Sequence, residues 1–462
     1  MADERFAEYL DAARGHVPER AHTGAAGGAA CGDLVRVSIA VEGDGVRDAG
    51  ADASGCGAAL ACASAAAALV RGRPVVEAAR VSAETIAAEL GGLTPPKLHA
   101  AELAADALHR ALGAAVRADG DAKLVAGRSL VAMSGGVDSA VAALLCGKDA
   151  MAVTLELWAS PENDAEASCC SASAVRSARG LAHGMGLPHL TIDLRAEFRA
   201  GVVEPWLREH AAGLTPNPCV RCNGSVRLDA MLDLCARVGA ERLATGHYAR
   251  LTTDGLLRAA ADPAKDQSYM LAALPAESAR RMRFPLGELT KPEVRALAEE
   301  AGLPVARRPD SQDLCFLAGT GKREFLARHG GLRERPGRIV DGAGRTLGRH
   351  RGHAAFTVGQ RRGIGVGGGA PLYVLATDAT ANTVTVGPRE ALATHEVAVR
   401  DVRLHRDESA VDTVKLRYRS RALPARLRGE RIVLDEPVLG AAPGQAAVFY
   451  AGDVVVGSAT IA

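Results

Sequence analysis

The feature that most constrains this chain is the run Ala132-Met133-Ser134-Gly135-Gly136-Val137-Asp138-Ser139, set between a short apolar strand (129–133) and a helix (139–146). Two adjacent glycines let the backbone approach a phosphate closely, and the N–H groups at the helix start cradle the anion. Ser134 and Ser139 supply hydroxyl donors. Asp138 supplies a carboxylate that either holds magnesium or positions a serine. No lysine follows the glycines, so the loop is not the lysine-bearing phosphate loop. Downstream, strands at 151–157, 189–193 and 242–245 alternate with helices at 172–185 and 225–238. That alternation predicts a parallel, doubly wound α/β sheet.

The rest of the chain reads differently. Residues 1–125 are rich in Ala and Gly, with an alternating strand at 35–41, a turn at 42–45 and helices at 58–70 and 100–116, a small α+β pattern. The polar stretch 119–121 marks a linker. Beyond about residue 330, Gly-punctuated alternating runs at 376–386, 411–418, 430–434, 446–450 and 454–461 predict small β domains. The expected boundaries are 1–125, 128–325, 326–385 and 386–462, the last forming a β-barrel. With 55 basic against 54 acidic residues the net charge is +1, so any contact with nucleic acid must come from local patches such as Arg349-His350-Arg351 and Arg361-Arg362. The N-terminus is charged and no run reaches the ~18 apolar residues that span a bilayer, so a cytoplasmic chain is expected. In that compartment ten cysteines point to metal, cluster or catalytic roles rather than a disulfide framework. Cys146 and Cys235 lie in apolar helical patterns and read as core.

Cysteines cluster after the glycine loop. Thr215-Pro216-Asn217-Pro218-Cys219-Val220-Arg221-Cys222-Asn223 reads as a loop, and Asp310-Ser311-Gln312-Asp313-Leu314-Cys315-Phe316 carries a third thiol. Between them lie Ala244-Thr245-Gly246-His247-Tyr248 and Lys265-Asp266-Gln267-Ser268-Tyr269; Phe356-Thr357-Val358-Gly359-Gln360-Arg361-Arg362-Gly363 and Pro443-Gly444-Gln445 follow. The glycine loop resembles the PP-loop of adenylating ATP pyrophosphatases. From about residue 128 to the C-terminus, the ordered motifs resemble the tRNA-specific 2-thiouridylase family. That resemblance implies a PP-loop domain, a small central domain and a C-terminal β-barrel that holds tRNA. It implies an ATP-dependent tRNA-uridine 2-sulfurtransferase, using ATP with Mg2+ to adenylate the C2 oxygen of the wobble uridine before a cysteine-borne sulfur displaces AMP. The nucleotide would rest on residues 132–139, with Leu157 and Gly246 on the adenine side. Cys222 matches the nucleophile and Cys315 the persulfide carrier. His247, Lys265, Asp266, Gln267, Arg417, Tyr418 and Gln445 match tRNA-contacting positions, and Asn217, Pro218 and Cys219 the segment near the target base. The implied partners are tRNA and a sulfur donor such as a cysteine desulfurase.

The chemistry suits the residues. A thiolate or persulfide is a strong soft nucleophile near neutral pH, whereas a uridine carbonyl is a poor electrophile until its oxygen becomes a phosphate-ester leaving group. Two cysteines can hand over sulfur and finish as a disulfide that needs external reduction. Many family members carry Asp where this chain has Cys219. The trio Cys219, Cys222 and Cys315 therefore leaves a second route open, a 4Fe-4S cluster with one iron free to hold sulfide. Zinc would need a fourth ligand that is not evident. Cys169 and Cys170 read as loop residues near the active site.

The N-terminal motifs Ala30-Cys31-Gly32-Asp33, Ser54-Gly55-Cys56-Gly57 and Pro96-Lys97-Leu98-His99-Ala100 resemble the NifU/IscU iron–sulfur scaffold family over about residues 20–118. That family uses three cysteines; here the third position is Ala100. Cys31, Asp33, Cys56 and His99 remain as donors for zinc or a labile cluster, or the domain serves only to dock a desulfurase. Two rivals to the leading reading are another PP-loop enzyme with a different substrate and an iron–sulfur carrier with a vestigial PP-loop domain.

Overall fold

The fold is described from a computed structural model over residues 2–11, 15–28, 32–158, 172–310, 314–317, 319–332, 334–367 and 370–462. Cys31, Cys169, Cys170 and residues 311–313 of the motif before Cys315 lie outside the described residues. Among the described residues no helix is long and apolar enough to cross a membrane.

The N-terminal region is an antiparallel sheet, β1 (His22–Gly27), β2 (Leu34–Glu42) and β3 (Gly45–Ser54), in that order. The helices Gly57–Val70 and Leu98–Asp119 cover it. The alanine excess has a packing reason. A β-carbon on Gly24 of β1 would lie 2.1 Å from the Ala107 carbonyl oxygen, so strand and helix meet backbone to backbone. The expected strand and both expected helices are present. The polar stretch 119–121 is no loose tether, because Asp121 donates its N–H to Gly43 O at 2.9 Å.

The central sheet holds β4 (Val125–Ala132), β5 (Met151–Glu156), β6 (His189–Asp193), β7 (Ala240–Thr245) and the short strand Met282–Arg283. Its order is Met282–Arg283, β7, β4, β5, β6, and every pairing is parallel. The predicted α/β sheet is observed. Chain direction across the sheet reverses between β4 and β7, and the crevice beyond their carboxyl ends is where such sheets bind ligands. The expected helix 225–238 is observed as Arg227–Arg237, and a further helix, Pro218–Ser225, precedes it across a break at Val226 (φ −132°, ψ −67°). The cysteine segment is thus helical rather than a loop. Asn217 caps it, accepting the N–H of Cys219 (3.1 Å) and Val220 (3.3 Å), with Pro218 in the first turn.

A four-stranded sheet follows, in the order Thr346–His350, Gly337–Val340, Thr383–Gly387, Tyr373–Asp378. The single run expected at 376–386 is a hairpin, turned at Asn382 with φ 49°. The last domain is a closed β-barrel: Ala393–Leu404 pairs with both Arg431–Leu439 and Val454–Ile461, and Leu423–Arg428, Thr413–Lys415 and Ala446–Ala451 complete the ring. Its inward residues, Val414, Leu427, Ile432, Phe449 and Val456 among them, form a separate core.

Candidate functional site: a cationic pocket at the carboxyl ends of the central strands

A cavity of about 580 Å3 opens at the strand reversal, within the ~300–1,000 Å3 range of small-molecule sites. Ala132, Met133, Ser134, Gly136, Val137, Asp138, Ser139, Leu157, Gly246, His247, Lys265, Asp266, Gln267 and Tyr418 all line it. Gly135 turns out of the lining with φ 74°, and its carbonyl accepts Arg308 Nη1 at 3.1 Å. Ser139 Oγ accepts the Ser134 N–H at 3.1 Å, lies 3.3 Å from Ser134 Oγ and donates to Gly136 O at 3.0 Å. The loop is therefore pre-shaped, with the N-terminus of the helix Val137–Cys146 aimed into the cavity. Gly246 has a steric reason. A β-carbon there would sit 2.8 Å from Asp138 C and Ser139 N, so the end of β7 presses on the loop itself.

Asp138 does not position a serine. Its carboxylate accepts Tyr248 OH at 2.8 Å and Lys291 Nζ at 2.7 and 2.9 Å. Lys291, almost fully buried, also reaches Asp310 at 2.8 Å, which further binds Lys265 (2.7 Å) and Arg295 (3.1 Å). Burial alone would raise the Asp310 pKa, but the Lys265 and Lys291 ammoniums outweigh it and hold it down at about 2. Asp310 therefore stays ionised, and both carboxylates are paired with protein cations. Lys265, Arg227, Arg308, Lys415 and Arg419 also line the cavity. Such a pocket fits a polyphosphate.

His247 lines the cavity next to Gly246. Burial, then the Arg227 charge, pushes its pKa down to about 3, so it is neutral. Nε2 accepts from Arg227 Nη2 (3.2 Å), which assigns the Nδ1 proton to Thr245 Oγ1 (2.9 Å). Arg227 also donates to Asn223 Oδ1 at 2.7 Å, joining this wall to the helix that carries Cys222. Asp266 lines the cavity, but its carboxylate is engaged by Ala260 N, Ser268 N, Ser268 Oγ and Lys415 Nζ. Gln267 likewise accepts Tyr248 N at 3.0 Å.

Asn217, Pro218, Cys219, Cys222, Cys315, Arg417 and Gln445 lie outside that lining. Cys222 is buried on its helix; Cys219 and Cys315 are half-buried. Phe316 fixes the Cys315 turn through edge-to-face contacts with Phe198 (5.9 Å) and Trp206 (5.3 Å). The π-helical turn Arg199–Val203, between those two rings, packs on the Cys222 helix. One bent helical stretch thus supports both thiols. The barrel braces the same segment: Gln445 Nε2 donates to Thr215 O at 2.6 Å, and Thr215 N to Pro443 O at 2.7 Å. Arg417 donates to Gly440 O at 2.9 Å, and Tyr418 lies 6.1 Å from the Tyr269 ring. Among the described residues, no group of three or more His, Cys, Asp or Glu is disposed to hold a metal ion. The expected ligand set of Cys219, Cys222 and Cys315 is therefore not assembled in this geometry. In the basic stretch 349–351, His350 is buried and accepts Gly352 N at 3.0 Å, so it belongs to the small sheet rather than to a surface patch.

In the N-terminal region Asp33 draws two of the expected donors together. It accepts Cys56 N (2.8 Å) and Cys56 Sγ (3.3 Å), and lies 3.2 Å from His99 Nε2. His99 Nδ1 faces Pro96 O at 2.8 Å, so both ring nitrogens meet acceptors, as the imidazolium requires. These hydrogen bonds, the Asp33 one first, raise the His99 pKa. Ala100 is fully buried and brings no donor. The residues present do not fit a three-thiol cluster site.

Lys291, Asp310, Tyr248, Arg227 and Arg308 were not among the expected site residues. Lys291 follows Thr290 in a Thr-Lys-Pro-Glu capping box, a signal that marks a helix start and hides the lysine's other task.

The loop, the strand order and the cation-lined cavity define a PP-loop nucleotide-binding protein. Residues 127–319 match the tRNA methyl transferase HUP domain, 323–388 the tRNA methyl transferase PRC-barrel domain, 394–461 the aminomethyltransferase beta-barrel domain and 11–118 the NifU-like N terminal domain. The "bifunctional protein NifU/MnmA" of Rubrobacter xylanophilus is 44% identical over 97% of this chain and 95% of its own length. The "tRNA-specific 2-thiouridylase MnmA" of Salinispora tropica is 45% identical over 73% of this chain and 100% of its own, and that of Chloroflexus aggregans 43% over 72% and 98%. The chain belongs to the tRNA-specific 2-thiouridylase family, in a form fused to a NifU-like N-terminal domain.

Proposed function

We propose that this chain uses ATP to replace the C2 oxygen of the wobble uridine in tRNA with sulfur. The observation that carries the reading is the pre-shaped Ser134–Ser139 loop in a cation-lined cavity, beside a braced helix bearing Cys222. The uridine O2 attacks the α-phosphorus of magnesium-bound ATP and pyrophosphate leaves. Loop N–H groups and the lysine and arginine side chains stabilise the charge that shifts onto the phosphates. A persulfide sulfur on Cys315, loaded by a donor such as a cysteine desulfurase, attacks C2, and AMP departs. The Cys222 thiolate then attacks the Cys315 sulfur, releasing 2-thiouridine and leaving a Cys222–Cys315 disulfide for an external dithiol to reduce. The alternative sulfur source is sulfide held by a cluster on Cys219, Cys222 and Cys315. Asn217, Pro218 and Cys219 sit at the target base, and His247, Lys265, Arg417, Tyr418 and Gln445 contact or orient the tRNA. Asp266 and Gln267 act by shaping that wall.

The test incubates the full chain anaerobically with unmodified tRNA, ATP and either sulfide or a desulfurase with cysteine. With the desulfurase supply the expected products are AMP and 2-thiouridine. Absence of the thiolated nucleoside under both supplies sinks the proposal, and iron–sulfur transfer without AMP would favour the carrier reading. Thiolation by Cys219→Ala with the desulfurase supply supports the persulfide route; its loss there, with retention by wild type, would favour the cluster.

A further inference from the structure

We infer that Arg110, a residue of the NifU-like region, is a positioning residue for the nucleotide pocket of the neighbouring domain. The inference rests on the reading of that pocket as the ATP site. Glu156 is the last residue of β5, between Leu155 and Leu157, which both line the cavity. Glu156 itself is not in the lining, and its side chain is only 7% exposed. A buried carboxylate needs a cation, and this one takes it from across the domain junction. Arg110, on the helix Leu98–Asp119, contacts both carboxylate oxygens: Nε lies 3.0 and 3.2 Å from them, and Nη2 lies 2.5 Å from Oε1. Its remaining nitrogen, Nη1, donates to Ala25 O of β1 at 2.8 Å. One guanidinium is thus pinned to the N-terminal sheet and fastened to the rim of the central one.

The other basic side chain nearby, Arg195, is committed to Asp193 through Nε at 2.9 Å. The surrounding junction is closely packed. A β-carbon on Gly113, one turn along the same helix, would lie 1.9 Å from Thr191 O, so the helix rests on the backbone of β6. Asp106, one turn back, binds Arg179 at 2.5 Å and Arg176 at 3.2 Å. The helix therefore holds a fixed position from which Arg110 can set the end of β5. Without that guanidinium the Glu156 carboxylate would turn towards water and carry Leu155 and Leu157, the adenine-side wall, with it.

The experiment compares the full-length chain with Arg110→Leu, Glu156→Leu and the double Arg110→Leu/Glu156→Leu, in which no buried charge is left alone. Two readouts are taken: the equilibrium Kd of a fluorescent ATP analogue, and KM for ATP against kcat in tRNA thiolation. For Arg110→Leu, Kd and KM should rise about tenfold, with kcat changed by less than about twofold. The double variant should return to within about threefold of wild type. If Arg110→Leu does not fold, the double variant decides: wild-type-like nucleotide affinity supports coupling through the buried charge, and affinity lost tenfold overturns it. A folded Arg110→Leu with unchanged Kd also overturns it. If wild type binds the analogue but makes no 2-thiouridine, the proposed reaction fails while the Kd comparison still decides the role of Arg110.

Discussion

The nucleotide pocket and the Asp33–Cys56–His99 cluster are both assembled from separated motifs, yet they differ in what they leave open. In the pocket, Arg227, Lys265, Arg308, Lys415 and Arg419 line a cavity of about 580 Å3 beside the glycine loop, so the site presents positive charge to a space large enough for a ligand. In the N-terminal cluster the one carboxylate already accepts from Cys56 N, Cys56 Sγ and His99, so the donors satisfy one another. Among the described residues the motif holds a hydrogen-bond set around Asp33, and Ala100 brings no donor to it. Completeness of the donor set, more than recognisability of the motif, separates a site prepared for a ligand from one that is self-contained.

The largest effect expected from that contrast falls on the thiols. Cys222→Ser should lower 2-thiouridine formation by about a thousandfold or more, with ATP-analogue binding unchanged. Cys56→Ser, assayed with a desulfurase and cysteine as the sulfur supply, should stay within about twofold of wild type. Equal losses in the two variants would break the contrast and make the N-terminal thiol part of the reaction.

Next comes the charge network. Lys291→Met leaves the Asp138 and Asp310 carboxylates facing each other without their shared, nearly buried ammonium. Chemical denaturation should report a loss of about 3 kcal/mol, and adding Asp310→Asn should recover part of it. Asp33→Asn, in the self-contained cluster, should lose only about 1–2 kcal/mol. A reversed order would mean that the pocket is the looser of the two.

Much of this was readable from sequence because it is local. The strand–loop–helix unit and the β/α alternation depend on neighbours within about ten residues. What escaped depends on distance along the chain. Lys291 meets Asp138, and Arg308 meets Gly135, only after the sheet has brought their segments together. The helix of the cysteine segment escaped for a different reason. Its Asn-Pro-rich opening looks like a turn, although Asn at the cap and Pro in the first turn also begin helices. The docking of the helix Leu98–Asp119 on β6 rests on Gly113, whose signal is only the lack of a side chain.

The smallest effect is a titration. Asp33 pulls the His99 pKa above its ordinary 6.5, and hydrogen bonds, led by the Cys56 N–H, hold the Asp33 pKa below its ordinary 3.8. A raised histidine contributes stability that is full below its unfolded pKa and fades as pH rises through the folded one. A lowered carboxylate contributes stability that is full above its unfolded pKa and fades as pH falls through the folded one. Both contributions are complete between about pH 3.8 and 6.5, and the histidine's part goes first on the way to alkaline conditions. Because the His99 ring is 45% exposed, salt screens the pairing and the stability change is small. The ring resonances of His99 should nevertheless titrate above pH 6.5 in wild type and nearer that value in Asp33→Asn. Identical titrations in the two proteins would show that Asp33 is not holding the imidazolium, and that the N-terminal cluster is less self-contained than the pocket comparison requires.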